Sequence, residues 1–250
     1  MYSLQKASVL KRFSAYLLDI ILLFIIIVGV ASLLSLAFNY DGYSTRLDEL
    51  SVKYQEEYGI DINKDYNTLS PEEKAIYDAA DKAFGQDPEV IYNYQMMNNL
   101  SLLIVTFSTL IAYVILEFIV PLLFKNGQTL GKKVFAIGVM RVDGVKITTP
   151  FLFIRTILGK FTIETMVPVL MVLMIYFGAI GMMGIIIIGL VLIFNVALII
   201  TTKTNSAIHD AISQTVTVDM ATQLIFDTPE ALLEYKQRVH EEEANKASYF

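Results

Sequence analysis

Neither cysteine nor tryptophan occurs among the 250 residues. The first absence excludes disulfides, thiolate nucleophiles and cysteine-based zinc sites. The second leaves Tyr and Phe as the only anchors for a membrane interface. No basic cluster interleaved with aromatics is present, so nucleic acid is not an expected partner. No glycine-rich phosphate loop, His-Glu-x-x-His or Gly-x-Ser-x-Gly occurs, and a role as an enzyme is not expected. Charge is scarce in three long stretches. Ala15–Phe38 holds only Asp19, Leu100–Phe124 only Glu117, and Thr165–Ile200 none.

What is abundant is apolar sequence: 55% of the residues are hydrophobic, with a mean hydropathy of +0.55. About 20 such residues in a helix cross roughly 30 Å of hydrocarbon. The first two runs each satisfy that length. The third would be ~54 Å long as one helix, too long for a single crossing, and Gly178, Gly181 and Gly184 near its middle predict a helical hairpin of two spans. The first run is also too long for the apolar core of a cleaved signal peptide, which is about 7–15 residues. The expected fold is an all-α membrane protein, a four-transmembrane-helix bundle with a small cytoplasmic β-hairpin and a helical extracellular insertion.

Lys and Arg near the span ends set the orientation. The N-terminal segment carries Lys6, Lys11 and Arg12 and no acid before Asp19. Lys125–Lys160 carries seven basic residues against Asp143 alone, whereas Asn39–Met97 carries five basic and 13 acidic residues. The acidic loop is therefore expected outside, both termini in the cytoplasm, and the chain in a cell membrane. The resulting divisions are 1–38 (N-terminus and first span), 39–97 (acidic, mostly helical outer loop), 98–124 (second span), 125–160 (basic linker), 161–201 (third and fourth spans) and 202–250 (cytoplasmic tail).

In the outer loop, Ser70-Pro71-Glu72-Glu73 is a capping box with Pro at the first helical position. Before it, Asp61, Asn63, Asp65, Asn67 and Glu72 have the ligand spacing of a calcium loop between helices. Tyr66 stands where such a loop needs Gly, and a solvated turn is the competing reading. In the linker, Met140–Val142 and Val145–Ile147 flank Asp143-Gly144 as a β-hairpin, and Thr215–Val218 has the alternation of a strand that can join it. Thr149-Pro150 then starts a helix expected to lie in the interface before it enters the third span, with Arg155 and Lys160 holding anionic lipid headgroups at ~1 kcal/mol each. Thr228-Pro229-Glu230 starts a polar, amphipathic helix in the tail.

Ionisable groups inside spans are costly, at ~3 kcal/mol on insertion scales. Asp19, Glu117, Glu164 and Asn195 place a polar group from each span at a similar depth near the cytoplasmic face. Two readings stand for this layer. In one, Arg12 or Lys160 neutralises a carboxylate and Asn195 hydrogen-bonds across the bundle. In the other, Asp19 and Glu117 face water and share a proton or release it for a cation. His209-Asp210 follows the last span, and Asp210 is expected to pair with Arg12 or the basic linker.

Taken together, Lys11-Arg12-Phe13-Ser14-Ala15 with Asp19, Tyr113…Glu117 leading to Gly127-Gln128-Thr129-Leu130-Gly131-Lys132, the Asp143-Gly144 hairpin, and His209-Asp210 before Thr215-Val216 resemble the RDD family of bacterial membrane proteins. Arg12, Asp19 and Asp210 match the arginine and two aspartates of the family's name. The resemblance covers roughly residues 6–40 and 100–220 and implies a bacterial cytoplasmic membrane, with cation/proton exchange as one suggested activity. The implied coupling residues are Asp19, Glu117, Arg12, Asn195 and Asp210, and so small a protomer implies a homo-oligomer. A non-transporting membrane scaffold or regulator acting through its outer loop or tail helix is the alternative.

The lack of native cysteine makes sidedness directly readable. Glu57→Cys is expected to react with a membrane-impermeant maleimide on intact cells, and Lys236→Cys only after the membrane is opened; the opposite pattern inverts the topology.

Overall fold

A computed structural model of the protein describes residues 4–61, 64–124, 126–176 and 178–247, with side chains described up to 245. Four helices are long and apolar enough to cross a membrane: α1 (Val9–Ala37), α4 (Pro88–Phe124), α6 (Thr149–Tyr176) and α7 (Met182–Thr201). The others are α2 (Tyr40–Tyr58), α3 (Pro71–Gln86), α5 (Leu130–Val134), α8 (Ile208–Ile212) and α9 (Pro229–Ala247). Two strands, β1 (Ile137–Arg141) and β2 (Thr215–Asp219), complete the fold. Apolar side chains on the spans lack protein cover, as with Leu36 at 71% and Ile193 at 68% exposure. Lipid is the solvent that suits such surfaces.

The chain forms two compact units, Ile27–Ser108 and the combination of Met1–Ile26 with Thr109–Phe250. In the first, α2 ends at Gly59, whose left-handed backbone (φ 60°) returns its N–H to Gln55 and Glu56. The capping box starts α3: Ser70 Oγ accepts from Glu73 N–H, and the Glu73 carboxylate accepts from Ser70 N–H. Leu50 and Ala80 are buried between α2 and α3, and the Tyr54 and Phe84 rings meet edge to face with centroids 5.5 Å apart.

In the second unit, α1, α4 and α6 meet through Leu23, Tyr113, Phe161 and Met166. The Tyr113 hydroxyl lies 2.7 Å from Thr165 Oγ1. The α6–α7 turn holds Gly178 and Gly181 at positive φ, the hairpin expected from the long uncharged run. Beside the spans sits a β-ribbon in which Ile137 pairs with Asp219 and Arg141 with Thr215, antiparallel. Its buried faces hold Ile137, Val139, Met140, Val216 and Val218. The N-terminal segment adds an edge, Asp219 N–H donating to Gln5 O at 3.1 Å.

Three local expectations change. The main ladder joins β1 to β2 rather than Met140–Val142 to Val145–Ile147, and the Asp143-Gly144 turn keeps only one bridge, Met140 to Lys146. Val216 and Val218 pack with Met140 in one core cluster, whereas Val145 bridges to Phe226. The second span's helix starts at Pro88 rather than near residue 98. The helix from Thr149 runs on into the third span as expected, but Arg155 and Lys160, expected to hold lipid headgroups, are paired inside the protein, as described below.

Ala136, just before β1, is held at φ 53° without being glycine. The left-handed conformation costs about 1–2 kcal/mol for an L-residue. Ala136→Gly is therefore expected to stabilise the fold by roughly 0.5–1 kcal/mol after its greater unfolded-state entropy is counted, read as a higher thermal midpoint in detergent.

Candidate functional site

Four charged residues of α4 and α6 lie in widened, π-helical stretches. Val114–Ile119 carries Glu117, and Ile154–Met166 carries Arg155, Lys160 and Glu164. Such bonding, five residues back instead of four, is rare and frequent at functional sites. Pro121 supplies part of the cause in α4, since it has no N–H to give the Glu117 carbonyl in an α-helical pattern. That carbonyl instead accepts from Thr156 Oγ1 of α6 at 2.8 Å. A short ion pair, Lys160 Nζ to Glu117 Oε2 at 2.6 Å, joins the same two helices. Glu117 and Lys160 are both buried.

Asp19 of α1 meets the linker. Its Oδ1 accepts from Gly131 N–H at 2.8 Å, and its Oδ2 accepts from the Thr129 hydroxyl. The carboxylate thus satisfies a helix N-terminus, that of α5, which Thr129 also caps through Lys132 N–H. The approach requires glycine: a Cβ on Gly131 would collide with the Ala15 carbonyl and lie 2.8 Å from Asp19 Oδ1. The Lys132 ammonium stands 4.0 Å from Asp19 Oδ2, each side chain 11% exposed. The ammonium donates a long hydrogen bond to Thr129 Oγ1 at 3.3 Å. Burial, then the charge of Lys160, lower the Lys132 ammonium to about 8, against the opposing pull of Glu117 and Asp19.

Asp210 of α8 is the third focus, buried beneath Arg155. The guanidinium bonds Asp210 Oδ1 and also Thr215 Oγ1, the latter at 2.7 Å. Arg12 approaches Asp210 Oδ2 at 3.7 Å, and His209 Nε2 lies 3.5 Å from the same oxygen. Burial pushes the Asp210 carboxyl up, but Arg155, His209 and Arg12 outweigh it and hold the group below the usual carboxylate range. His209 binds Glu164 through its backbone N–H at 3.0 Å and through Nδ1, which lies 2.9 and 2.8 Å from the two carboxylate oxygens. Burial keeps its imidazole below the ordinary value despite Asp210 and Glu164. Gly159 makes room for this contact, since a Cβ there would meet His209 Cα at 2.6 Å. Asn195 Oδ1 accepts from Ile208 N–H at 3.3 Å and fixes the start of α8.

A family model described as the RDD family matches residues 6–214. The chain belongs to the RDD family. Its Arg12 and Asp210 face each other, while Asp19 serves the linker helix. No curated protein and no solved structure matches this RDD chain.

The structure departs from the idea of two carboxylates sharing a proton. Glu117 has its own cation in Lys160, and Asp19 is held by a hydroxyl, a backbone N–H and Lys132. Thr129, Lys132, Arg155 and Thr156 were not among the expected site residues. Gly127–Lys132 and the basic linker were visible signals, but nothing local distinguishes an inward from a headgroup-facing lysine. Between α2 and α3, the Asp65 carboxylate caps a turn by accepting from Asn67 N–H at 2.9 Å. Among the described residues no three His, Cys, Asp or Glu side chains gather as a metal site. Asp61, Asn67 and Glu72 lie on that loop, and Asn63 lies outside the described residues.

Removing one member of a buried pair strands the other. Asp210→Asn is expected to lower stability by about 3–5 kcal/mol, and Asp210→Leu combined with Arg155→Met to recover most of it, in thermal melts of the detergent-solubilised protein. Because the Asp210 carboxyl titrates below its unfolded value, its contribution is full above that value and falls away as acid protonates it.

Proposed function

We propose that this RDD protein is a small cation/proton exchanger of a bacterial cytoplasmic membrane, with both termini in the cytoplasm and a homo-oligomeric assembly. The observation that carries the reading is Lys132, a buried ammonium poorly supplied with acceptors, beside Asp19 and within the field of Glu117 and Lys160. Lys160 binds its carboxylate at 2.6 Å; Lys132 reaches Asp19 only at 4.0 Å. The proton most easily released is therefore that of Lys132. Its loss leaves Asp19 without a counter-charge and open to a monovalent cation from the aqueous side. Return of the proton expels that cation. One positive charge occupies the site in either state.

In this reading Glu117 and Lys160 set the field, while Arg12, Arg155 and Asp210 lock the cytoplasmic cap to the spans, with Asn195 holding α8. Exposed linker lysines meet anionic headgroups. The role is non-enzymatic, supported by the lack of a nucleophile–base motif. The second reading, a non-transporting module acting through the outer loop or tail helix, draws support from the two direct hydrogen bonds that already satisfy Asp19.

Proteoliposomes separate the two. With exchange, cation-driven proton movement rises as pH passes upward through about 8, the range of Lys132. Asp19→Asn is expected to cut it at least tenfold, and Lys132→Gln to leave cation binding while abolishing its pH dependence. Absence of cation-dependent proton flux from well-folded, reconstituted protein supports the scaffold instead.

A further inference from the structure

The unit formed by Ile27–Ser108 has features that the exchange reading leaves unused. A cleft of about 370 Å³ opens between α2 and α3, lined by Tyr54, Ile60, Tyr77, Ala80, Asp81 and Phe84 among others. That volume lies in the range of small-molecule sites, about 300–1,000 Å³. We propose that this cleft binds a small organic cation, an ammonium carrying an apolar or aromatic body.

Three observations point to that class. First, the walls are aromatic and set at angles to one another. Tyr54 and Phe84 stand nearly perpendicular (84°) with centroids 5.5 Å apart. Tyr77 is fixed by its edge contact with Tyr66 at 5.4 Å. The ring faces of Tyr54, Tyr77 and Phe84 carry the negative quadrupole density that attracts a cation. Secondly, the charge is of one sign: Asp81 is the single charged residue lining the cleft, exposed at its rim, and among the described residues no cation pairs with it. An anionic ligand would meet that carboxylate on the cleft's own lining. Thirdly, rings of this unit already attract the chain's own ammonium groups. Lys53 Nζ lies 5.8 Å from the Tyr54 centroid and Lys74 Nζ 5.4 Å from that of Tyr66.

The floor is formed in advance. Ala80 is only 2% exposed, and Tyr54 is held by its hydroxyl donating to Asp87 Oδ2 at 2.9 Å. Ile60 and the Phe84 ring supply the apolar surface for the ligand's body. Recognition would combine the aromatic faces with one carboxylate, as suits a quaternary or protonated amine better than a bare metal ion, which needs several oxygens.

The absence of native Trp allows a clean reporter. Phe84→Trp places one indole in the cleft of the full chain in nanodiscs. Titration with benzyltrimethylammonium is expected to change its emission saturably, with a midpoint near ~1 mM or tighter, and benzenesulfonate to leave it unchanged. Adding Asp81→Asn, at an exposed position, is expected to weaken binding about three- to fivefold, and adding Tyr77→Leu by a similar factor. Calorimetry on the unsubstituted protein should reproduce the midpoint. No saturable response, an equal response to benzenesulfonate, or undiminished binding with Asp81→Asn overturns the proposal. Each of these outcomes is independent of cation-driven proton flux.

Discussion

Bringing a charge out of water at the membrane face is tolerable only when an opposite charge and good hydrogen bonds come with it. Arg155 and Asp210 are the clearest instance, with 3% and 1% of their side chains exposed. Around them Arg12, His209 and Thr215 tie together α1, α6, α8 and the start of β2. Remove that pairing and α8 loses its reason to dock on α6. The β-ribbon that follows would lose its anchor as well.

The same constraint accounts for the shape of the helices. The π-helical turns of α4 and α6 coincide with the buried charges Glu117, Arg155 and Lys160 and with the half-buried Glu164. Each turn leaves backbone groups in need of partners, and at Glu117 the freed carbonyl receives the Thr156 hydroxyl. Asp19 follows a related logic, since its carboxylate supplies acceptors to the exposed N–H end of α5. Polar side chains and irregular backbone thus satisfy one another in one region. Such a region is stable yet can hold an ammonium, Lys132, with only weak direct partners.

The α2–α3 segment between the first two spans obeys ordinary aqueous rules. Its helices begin and end at caps that depend on single residues, Ser70 and Gly59. Its core is thin, and aromatic rings provide much of the contact between α2 and α3. A thin aromatic interface leaves clefts where a thick aliphatic one would close them.

The spans, the α6–α7 turn, the capping box and the polar positions Asp19, Glu117 and Asn195 were legible in the sequence alone, since apolar length, glycine punctuation and cap chemistry are local properties. Family membership was legible too, through short motifs kept in order. Pairing was decided only by the tertiary structure. Arg155 meets Asp210 across 55 residues of sequence and Asp19 meets Gly131 across 112. A lysine destined for a buried carboxylate has the same local sequence signature as one destined for a lipid headgroup. The strand partner of β1 was ambiguous for the same reason: both Val145–Ile147 and Thr215–Val218 alternate, and burial of Val216 and Val218 against Met140 selects between them. Hydrophobic length is written along the chain, whereas charge neutralisation depends on which distant groups the folded chain brings within a few ångströms.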